Sequence, residues 1–272
     1  MTTLRPMYMS DLVTVLKIID AHDEDDATAA EDDYQSDGIE NQFVLELGEK
    51  IIGVTGYRAI EASDNSYWLS WTYLSPDYQR QGLGRQLLQQ LTDKLREKSA
   101  RKLFVKVSDY CEDGKKLYEN AFHAYRSFGF TEEVINRDFY EEGESQHILS
   151  FDFSNKSQNV ESEAQGKKII EERPNIQFCG LYEIAETDGS YSFRWEVKET
   201  KKLFAKRNFT AVDVQTGIDA AKEQGARKIY LTFPSNLPLI HKPLQDAGFD
   251  YVGCLSDYYE DGIHEYHFVY SF

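Results

Sequence analysis

Three blocks of sequence occur twice in this chain, in the same order. Gly56-Tyr57-Arg58-Ala59-Ile60-Glu61-Ala62-Ser63-Asp64-Asn65-Ser66-Tyr67 runs parallel to Gly180-Leu181-Tyr182-Glu183-Ile184-Ala185-Glu186-Thr187-Asp188-Gly189-Ser190-Tyr191, and Trp71 and Trp195 follow at equal spacing. Asp64-Asn65 and Asp188-Gly189 are both hairpin-turn pairs flanked by strand-forming residues. Ala100-Arg101-Lys102-Leu103-Phe104-Val105 answers Ala226-Arg227-Lys228-Ile229-Tyr230-Leu231. Finally, Gly129-Phe130 with Asp138 to Gly143 answers Gly248-Phe249 with Asp257 to Gly262. Repetition on this scale predicts two domains built alike. Between the copies, Ser154 to Gly166 holds one large apolar residue, Val160, and no period, which is the composition of a linker. The expected division is therefore 1–153, a linker at 154–166, and 167–272.

Periodicity places the elements of the first copy. Ser10 is expected to cap an amphipathic helix carrying Leu12, Val13, Leu16 and Ile19. Phe43 to Leu47 and Ile51 to Ile60 read as hairpin strands joined at Gly48-Glu49, and Tyr67 to Leu74 as a third strand ending before Pro76. From Gly82 to Lys98 an apolar stripe of Leu83, Leu87, Leu88, Leu91 and Leu95 predicts a helix. Leu103 to Val107 reads as a buried strand, Lys115 to Phe128 as a second striped helix, and two last strands flank Glu141-Glu142-Gly143. The fold class this implies is α/β (α+β), with mixed sheets in two like domains.

Composition closes off several functions. With 41% hydrophobic and 14% aromatic residues the chain can bury a core. No apolar run approaches the ~18 residues of a membrane span, and the first residues show no basic start followed by an apolar stretch. Cys111, Cys179 and Cys254 are too far apart for a disulfide framework or a zinc spacing, so a cytoplasmic protein is expected. The formal net charge is −17; residues 1–153 hold 16 Lys/Arg against 29 Asp/Glu. Such a chain repels phosphate backbones and anionic membranes, which argues against nucleic-acid or membrane partners, and it attracts cations. His264 and His267, three apart on a predicted strand, face opposite ways, and no metal site is expected. Without a secretory route, Asn208-Phe209-Thr210 is read as a polar stretch.

The chemistry concentrates where a strand becomes a helix, at Gln79-Arg80-Gln81-Gly82-Leu83-Gly84. Glycines there let backbone approach a ligand with no Cβ in the way. The first amides of the helix lack intrahelical acceptors, and the helix dipole favours negative charge at that end. A pyrophosphate satisfies both, and Arg80 and Arg85 can add charge-assisted contacts. Strand, Ser75-Pro76, Gln79 to Gly84 and leucine-striped helix, in this order of elements, resemble the GNAT superfamily of N-acetyltransferases over residues 3–153.

That resemblance implies acetyl-CoA as co-substrate. Thr72, Tyr73 and Leu74 would pair their backbone with the pantetheine arm, and Gln79 to Gly84 with Arg85 would take the pyrophosphate. Tyr125, four residues before Gly129-Phe130, would protonate the departing CoA thiolate or hydrogen-bond its sulfur. Where the family often has an Asn seven residues earlier, this chain has Tyr118. No acid stands on the Tyr67 to Leu74 strand, so Asp109, just past the next strand, is the proposed base through water, ahead of Glu61 and Glu112. Cys111 is the only thiol near the site and has no base placed for it, so direct transfer is expected. The acceptor would meet the acidic segment Asp23 to Asp33 and the last hairpin with Tyr140 and Glu141. Seven acids in that segment suit a cationic small molecule or a lysine side chain; a solvated acidic loop is the plainer alternative.

In the second copy, Ala205 to Thr210 stands at the register of Gln79 to Gly84 and contains no glycine, and Leu244 stands at that of Tyr125. The first helix and acidic segment have no counterpart. A truncated domain without the pyrophosphate turn is expected there, with Lys201-Lys202 and Lys206-Arg207 on a solvated face. The function expected is N-acetylation of a primary amine by a monomer or homodimer. A silent acyl-CoA-binding or interaction module, or a transferase of another acyl group, is the alternative.

Overall fold

The computed structural model describes residues 1–112, 114–154, 176–197 and 209–272. The expected linker beyond Ser154, the start of the second copy, both basic pairs and Ala205 to Asn208 lie outside the described residues. Contacts divide the chain into two compact units. The first is Met1–Lys106 with Asn120–Thr131 and Ser150–Asn155; the second is Val107–Glu119 with Glu132–Leu149 and Lys156–Phe272. Among the described residues no helix is long and apolar enough to cross a membrane.

The first sheet runs β1 (Thr2–Pro6), β2 (Gln42–Leu47), β3 (Lys50–Ala59), β4 (Ser66–Leu69), β6 (Lys102–Ser108), β10 (Glu144–Asp152), β9 (Thr131–Glu141). Its eighth strand, β5 (Tyr73–Leu74), pairs with β3. β1 to β4 are antiparallel neighbours, whereas β4 and β6 are parallel, with Tyr67 opposite Leu103. A parallel pair needs a crossover, and α3 (Leu83–Glu97) supplies it. Its leucine stripe is buried as the period requires: Leu91 and Leu95 have no exposure. Each such side chain contributes roughly 1.5–3 kcal/mol of burial.

Three local expectations are corrected. Ser10 does not cap the first helix; it sits inside the 3-10 turn Met9–Asp11, ahead of α1 (Leu12–Asp20). Asp11 organises that end instead, accepting from the Tyr8 amide at 2.8 Å and pairing with Arg5 at 2.6 Å. The acidic segment is not a loop but a helix, α2 (Glu24–Ser36). Asp23 caps it by accepting from the Asp25 and Asp26 amides, three acids in the first turn complement the dipole, and Ala30 and Tyr34 are buried beside Val15, Ile19, Val44 and Val54. The stretch from Lys115 opens not as helix but as a small hairpin, β7 (Cys111–Glu112) with β8 (Lys115–Lys116). Gly114 turns it at a φ of +77°, and α4 begins at Glu119 and ends at Phe128.

The second unit has its own five-stranded sheet: β11 (Ile176–Glu183), β12 (Ser190–Val197), β13 (Lys228–Pro234), β15 (Ile263–Ser271), β14 (Asp250–Glu260). This order matches β3-β4-β6-β10-β9 strand for strand. The parallel registers match too: Ser190 lies opposite Lys228 as Ser66 lies opposite Lys102. α5 (Ala211–Glu223) is the crossover, and α6 (Pro238–Asp246) precedes the last hairpin. Val214, Ile218, Ile229, Leu231, Ile240 and Leu244 form its core.

Candidate active site

Tyr67 to Leu74 is not one strand. Pairing of β4 with β6 stops at Trp68 opposite Phe104, while the chain stays on β3 through Ser70 N to Gly56 O at 2.9 Å and through β5, where Val54 faces Tyr73 and Gly53 faces Leu74. The break at Ser70-Trp71-Thr72 therefore leaves the parallel partner and keeps the antiparallel one. Gly53 permits the close approach of β5: a Cβ there would lie 3.0 Å from the Tyr73 carbonyl oxygen.

Beyond β5, Ser75 leads into a 3-10 turn, Pro76–Tyr78, and the chain enters α3 through two left-handed residues. Arg80 has a φ of +57° and Gly82 of +77°. No side chain caps the start of α3, no acid stands in its first turn, and nothing lies within 4 Å of a Cβ built on Gly82 or Gly84. Uncapped amides, the positive end of a dipole and open space form an anion-binding end. Gln81 is turned back, its amide donating to the Asp77 carbonyl at 3.1 Å. Arg85 donates to the Ser127 carbonyl at the end of α4, also at 3.1 Å, and its guanidinium lies over Phe128; Arg80, within the turn itself, is exposed.

Tyr125, on α4, is 7% exposed. Its backbone carbonyl accepts from both Gly129 and Phe130, which ends the helix; Gly129 has a φ of +118°. Burial pushes the Tyr125 phenol well above its ordinary range, opposed by a hydrogen bond with the Thr72 side chain. Tyr125 and Thr72 lie in the same compact unit. Thr72 also lies 2.8 Å from the hydroxyl of Thr55, which is fully buried on β3.

Around β5 stands a group that sequence reasoning missed. His22 Nε2 bonds the Leu74 carbonyl oxygen at 2.8 Å, and its ring lies 5.4 Å from that of Tyr73. Tyr73 in turn donates to Asp26. Trp71 Nε1 donates to Asp33 at 2.8 Å, and Arg58 pairs with Asp33 at 2.7 Å and with Asp37 at 3.3 Å. Two of the acids on α2 are therefore latches onto the strands. Nothing in the spacing of His22 signals this role, and nothing in the spacing of Thr55 does either, since β3 is buried without alternation from Ile52 to Tyr57.

Asp109 belongs to the second unit. Its carboxylate accepts from the Ser145 amide at 2.6 Å and faces His147 Nε2 at 3.4 Å, and the other ring nitrogen of His147 meets Glu132 at 2.5 Å. Glu61 and Cys111 are exposed. His264 and His267 have separate surroundings: His264 Nδ1 accepts from the Asp257 amide at 2.9 Å, and buried His267 lies 3.4 Å from Glu265.

In the second unit the counterpart of the α3 start is closed. Thr210 and Asp213 cap α5, with Thr210 N and Oγ1 both 3.0 Å from the Asp213 carboxylate. Leu244 accepts from Phe249 N at 3.0 Å as Tyr125 does from Phe130 N, but it offers a fully buried aliphatic side chain in place of a phenol.

The sequence profile of the Acetyltransferase (GNAT) family matches residues 7–130. A stretch of 67 residues is 39% identical to the [ribosomal protein bS18]-alanine N-acetyltransferase of Escherichia coli K12, covering 25% of this chain and 40% of that protein. Less than half the length of this curated relative is thus spanned. Among solved structures, a GNAT-family protein from Desulfovibrio desulfuricans shares the fold, with a TM-score of 0.50 and 22% identity over 57% of this chain and 100% of that one. The ribosomal-protein-S18-alanine N-acetyltransferase from Escherichia coli aligns with a TM-score of 0.47 and 24% identity, over 59% of this chain and 99% of that one. Over residues 7–130, just under half of its length, this chain is similar to the GNAT acetyltransferase family.

Proposed function

We propose that the first copy is an acetyl-CoA-dependent N-acetyltransferase acting on a primary amine by direct transfer. The observation that carries this reading is a single juxtaposition within one unit. The α3 start is uncapped and open, with Gly82 at +77°, and Arg85 in its first turn reaches the Ser127 carbonyl on α4, the helix that carries the buried phenol of Tyr125. In this reading the pyrophosphate lies on the amides of Gly82 to Arg85 with Arg80 beside it, and the pantetheine arm runs along Thr72 to Leu74. The amine nitrogen attacks the thioester carbonyl, the C–S bond breaks, and Tyr125 gives its proton to the leaving thiolate. Asp109 is the proposed acceptor of the amine's proton; it lies in the second unit, where its carboxylate accepts from the Ser145 amide.

A cationic acceptor is supported by the exposed acids Glu24, Asp25, Glu31 and Asp32 on α2. Since the curated relative is named for an alanine of a ribosomal protein, an alanine-bearing peptide belongs in the acceptor panel beside polyamines and lysine peptides. The matching strand orders and registers support an internal duplication. The second copy, with a capped α5 and Leu244, is proposed to bind no second acetyl-CoA. Three free cysteines fit a cytoplasmic location. The test is thiol release from acetyl-CoA across that panel, with calorimetry for binding stoichiometry. Binding at one site per chain with acceptor-dependent thiol release is expected. Binding without release to any amine overturns the reading in favour of a silent module.

A further inference from the structure

β3 and β11 occupy matching places in the two sheets, and the outer edge of β3 is covered by β2, with Gln42 opposite Gly56 and Phe43 opposite Thr55. The approach is close: a Cβ on Gly56 would stand 2.8 Å from the Asn41 carbonyl oxygen. The buried ring of Phe43 fills the corner between that edge and α3. It stacks on Tyr57 at 6.1 Å, and Lys94 Nζ lies 5.2 Å over it. Tyr57 in turn meets Tyr67 edge-on at 5.2 Å.

The second copy repeats this corner with the edge open. Among the described residues β11 pairs with β12 alone, and nothing lies within 4 Å of a Cβ built on Gly180, the counterpart of Gly56. Leu181, Tyr191 and Ala220 stand at the registers of Tyr57, Tyr67 and Lys94. They line a cavity of about 370 Å³ between β11 and the end of α5. Leu181 and Ala220 are shorter than Tyr57 and Lys94, which widens the corner. The lining carries two carboxylates, Glu183 and Glu223, and neither Lys nor Arg.

We propose that the β11 edge binds an extended peptide of a partner protein, one with an aromatic side chain and a basic residue ahead of it. The peptide adds antiparallel to β11 as β2 adds to β3, held by main-chain hydrogen bonds, and its ring enters the cavity in the place of Phe43. Antiparallel pairing carries the residues ahead of the ring toward Glu183, the last residue of β11, so a Lys or Arg there meets a carboxylate. A second copy of this chain does not meet that requirement with the outermost strands of its two large sheets. β11 and β14 contain no Lys or Arg, and Arg5 on β1 is held by Asp11 and Glu46. β9 is already covered, its Arg137 and Phe139 carbonyls accepting from Tyr230 and Ser190.

The experiment uses the full chain and a fluorescein-labelled probe peptide with the β2 sequence Gln42-Phe43-Val44-Leu45 preceded by two lysines. Binding is followed by fluorescence anisotropy and located by amide hydrogen exchange. Wild type should bind the probe, and amides of β11 should exchange more slowly when it is bound. Phe43→Ala in the probe should weaken binding by about tenfold or more, as the loss of a buried aromatic ring requires. Glu183→Gln together with Glu223→Gln should weaken it several-fold at low salt and less at high salt. Ala220→Phe, which fills the cavity from α5, should weaken it as well. Absence of binding, binding without slowed exchange in β11, or an alanine probe bound as tightly would each overturn the proposal. Slow exchange along the outer edge of β11 with no probe present would overturn it too. Lost on dilution, that protection assigns the edge to a second copy; kept at every concentration, it assigns the edge to another part of the same chain. Acetyl transfer enters none of these readouts.

Discussion

Arg227 donates to the hydroxyl of Ser190 at 3.3 Å, from a guanidinium that also reaches the Asp188 carbonyl. In the first copy Arg101 makes the same pair of bonds, to Ser66 at 3.1 Å and to the Asp64 carbonyl at 2.7 Å. The backbone amides repeat the pattern, Arg101 N to Asn65 O and Arg227 N to Gly189 O. Each arginine closes a hairpin turn onto the strand that runs parallel to it. Lysine has no planar fork with which to reach both acceptors. Arg101→Lys and Arg227→Lys should each lower stability by about 1–3 kcal/mol, measured by urea unfolding. Unchanged midpoints for both variants would show that the shared bonds are incidental to folding.

Gly82 occupies backbone space that a β-branched residue enters only with strain, at a φ of +77°. The space around its missing Cβ is open, so the cost of a substitution is conformational rather than steric. Gly82→Val should therefore weaken acetyl-CoA binding by about tenfold or more through a reshaped turn, corresponding to about 1.4 kcal/mol, while KM for the amine stays near wild type. Calorimetric titration with acetyl-CoA checks the first part and steady-state kinetics the second. Equal losses for both substrates would point to a damaged fold instead.

Acid should act through Asp11. Its hydrogen bond from Arg5 lowers its pKa below the usual carboxylate value, and burial opposes this. A depressed folded pKa means that the stabilisation is present above the unfolded value, about 3.9, and is lost as pH falls through the folded one. Asp11→Asn should lower stability at neutral pH and flatten its decline in the acid range. The measurement is urea unfolding from pH 7 to pH 3, wild type against variant; parallel curves would remove Asp11 from the acid response.

Which parts of this molecule can be read from its residues depends on how local their causes are. The turn into α3 was legible because a left-handed residue ahead of a leucine stripe asks for glycine, and Gly82 is there. The last hairpin of the second sheet was legible because matching residues, such as Asp138 and Asp257, recur in matching places; each carboxylate accepts the amide five residues on. α2 was not legible, since acids every few residues blur an apolar stripe reduced to Ala27, Ala30 and Tyr34, and its docking is supplied by distant residues of the core. The break between β4 and β5 depends on which strand each backbone group finds, and Tyr67 to Leu74 looks continuous by composition. His22 and Thr55 acquire their meaning only from that break.

The acids of α2 divide into two sets with different expected behaviour. Asp26 is held by Tyr73, and Asp33 by Trp71 and Arg58, so these two carboxylates dock the helix onto β3 and the broken strand. Glu24, Asp25 and Asp32 are exposed and leave their field in solvent. An exposed field recruits a cation over a range set by salt, about 10 Å at 0.1 M. Neutralising all three, as Glu24→Gln, Asp25→Asn and Asp32→Asn together, should raise KM for a polyamine acceptor several-fold at low salt. It should also remove most of the salt dependence of that KM and leave KM for acetyl-CoA unchanged. Asp33→Asn should behave otherwise: it weakens the hold of α2 on Arg58 and Trp71, lowers stability by about 1–3 kcal/mol, and shifts the polyamine KM with or without salt. Kinetics at two ionic strengths, together with urea unfolding, separate the two sets. A triple variant with wild-type KM and wild-type salt response would make the exposed face of α2 a solvating surface, and the acceptor's charge would have to be read elsewhere.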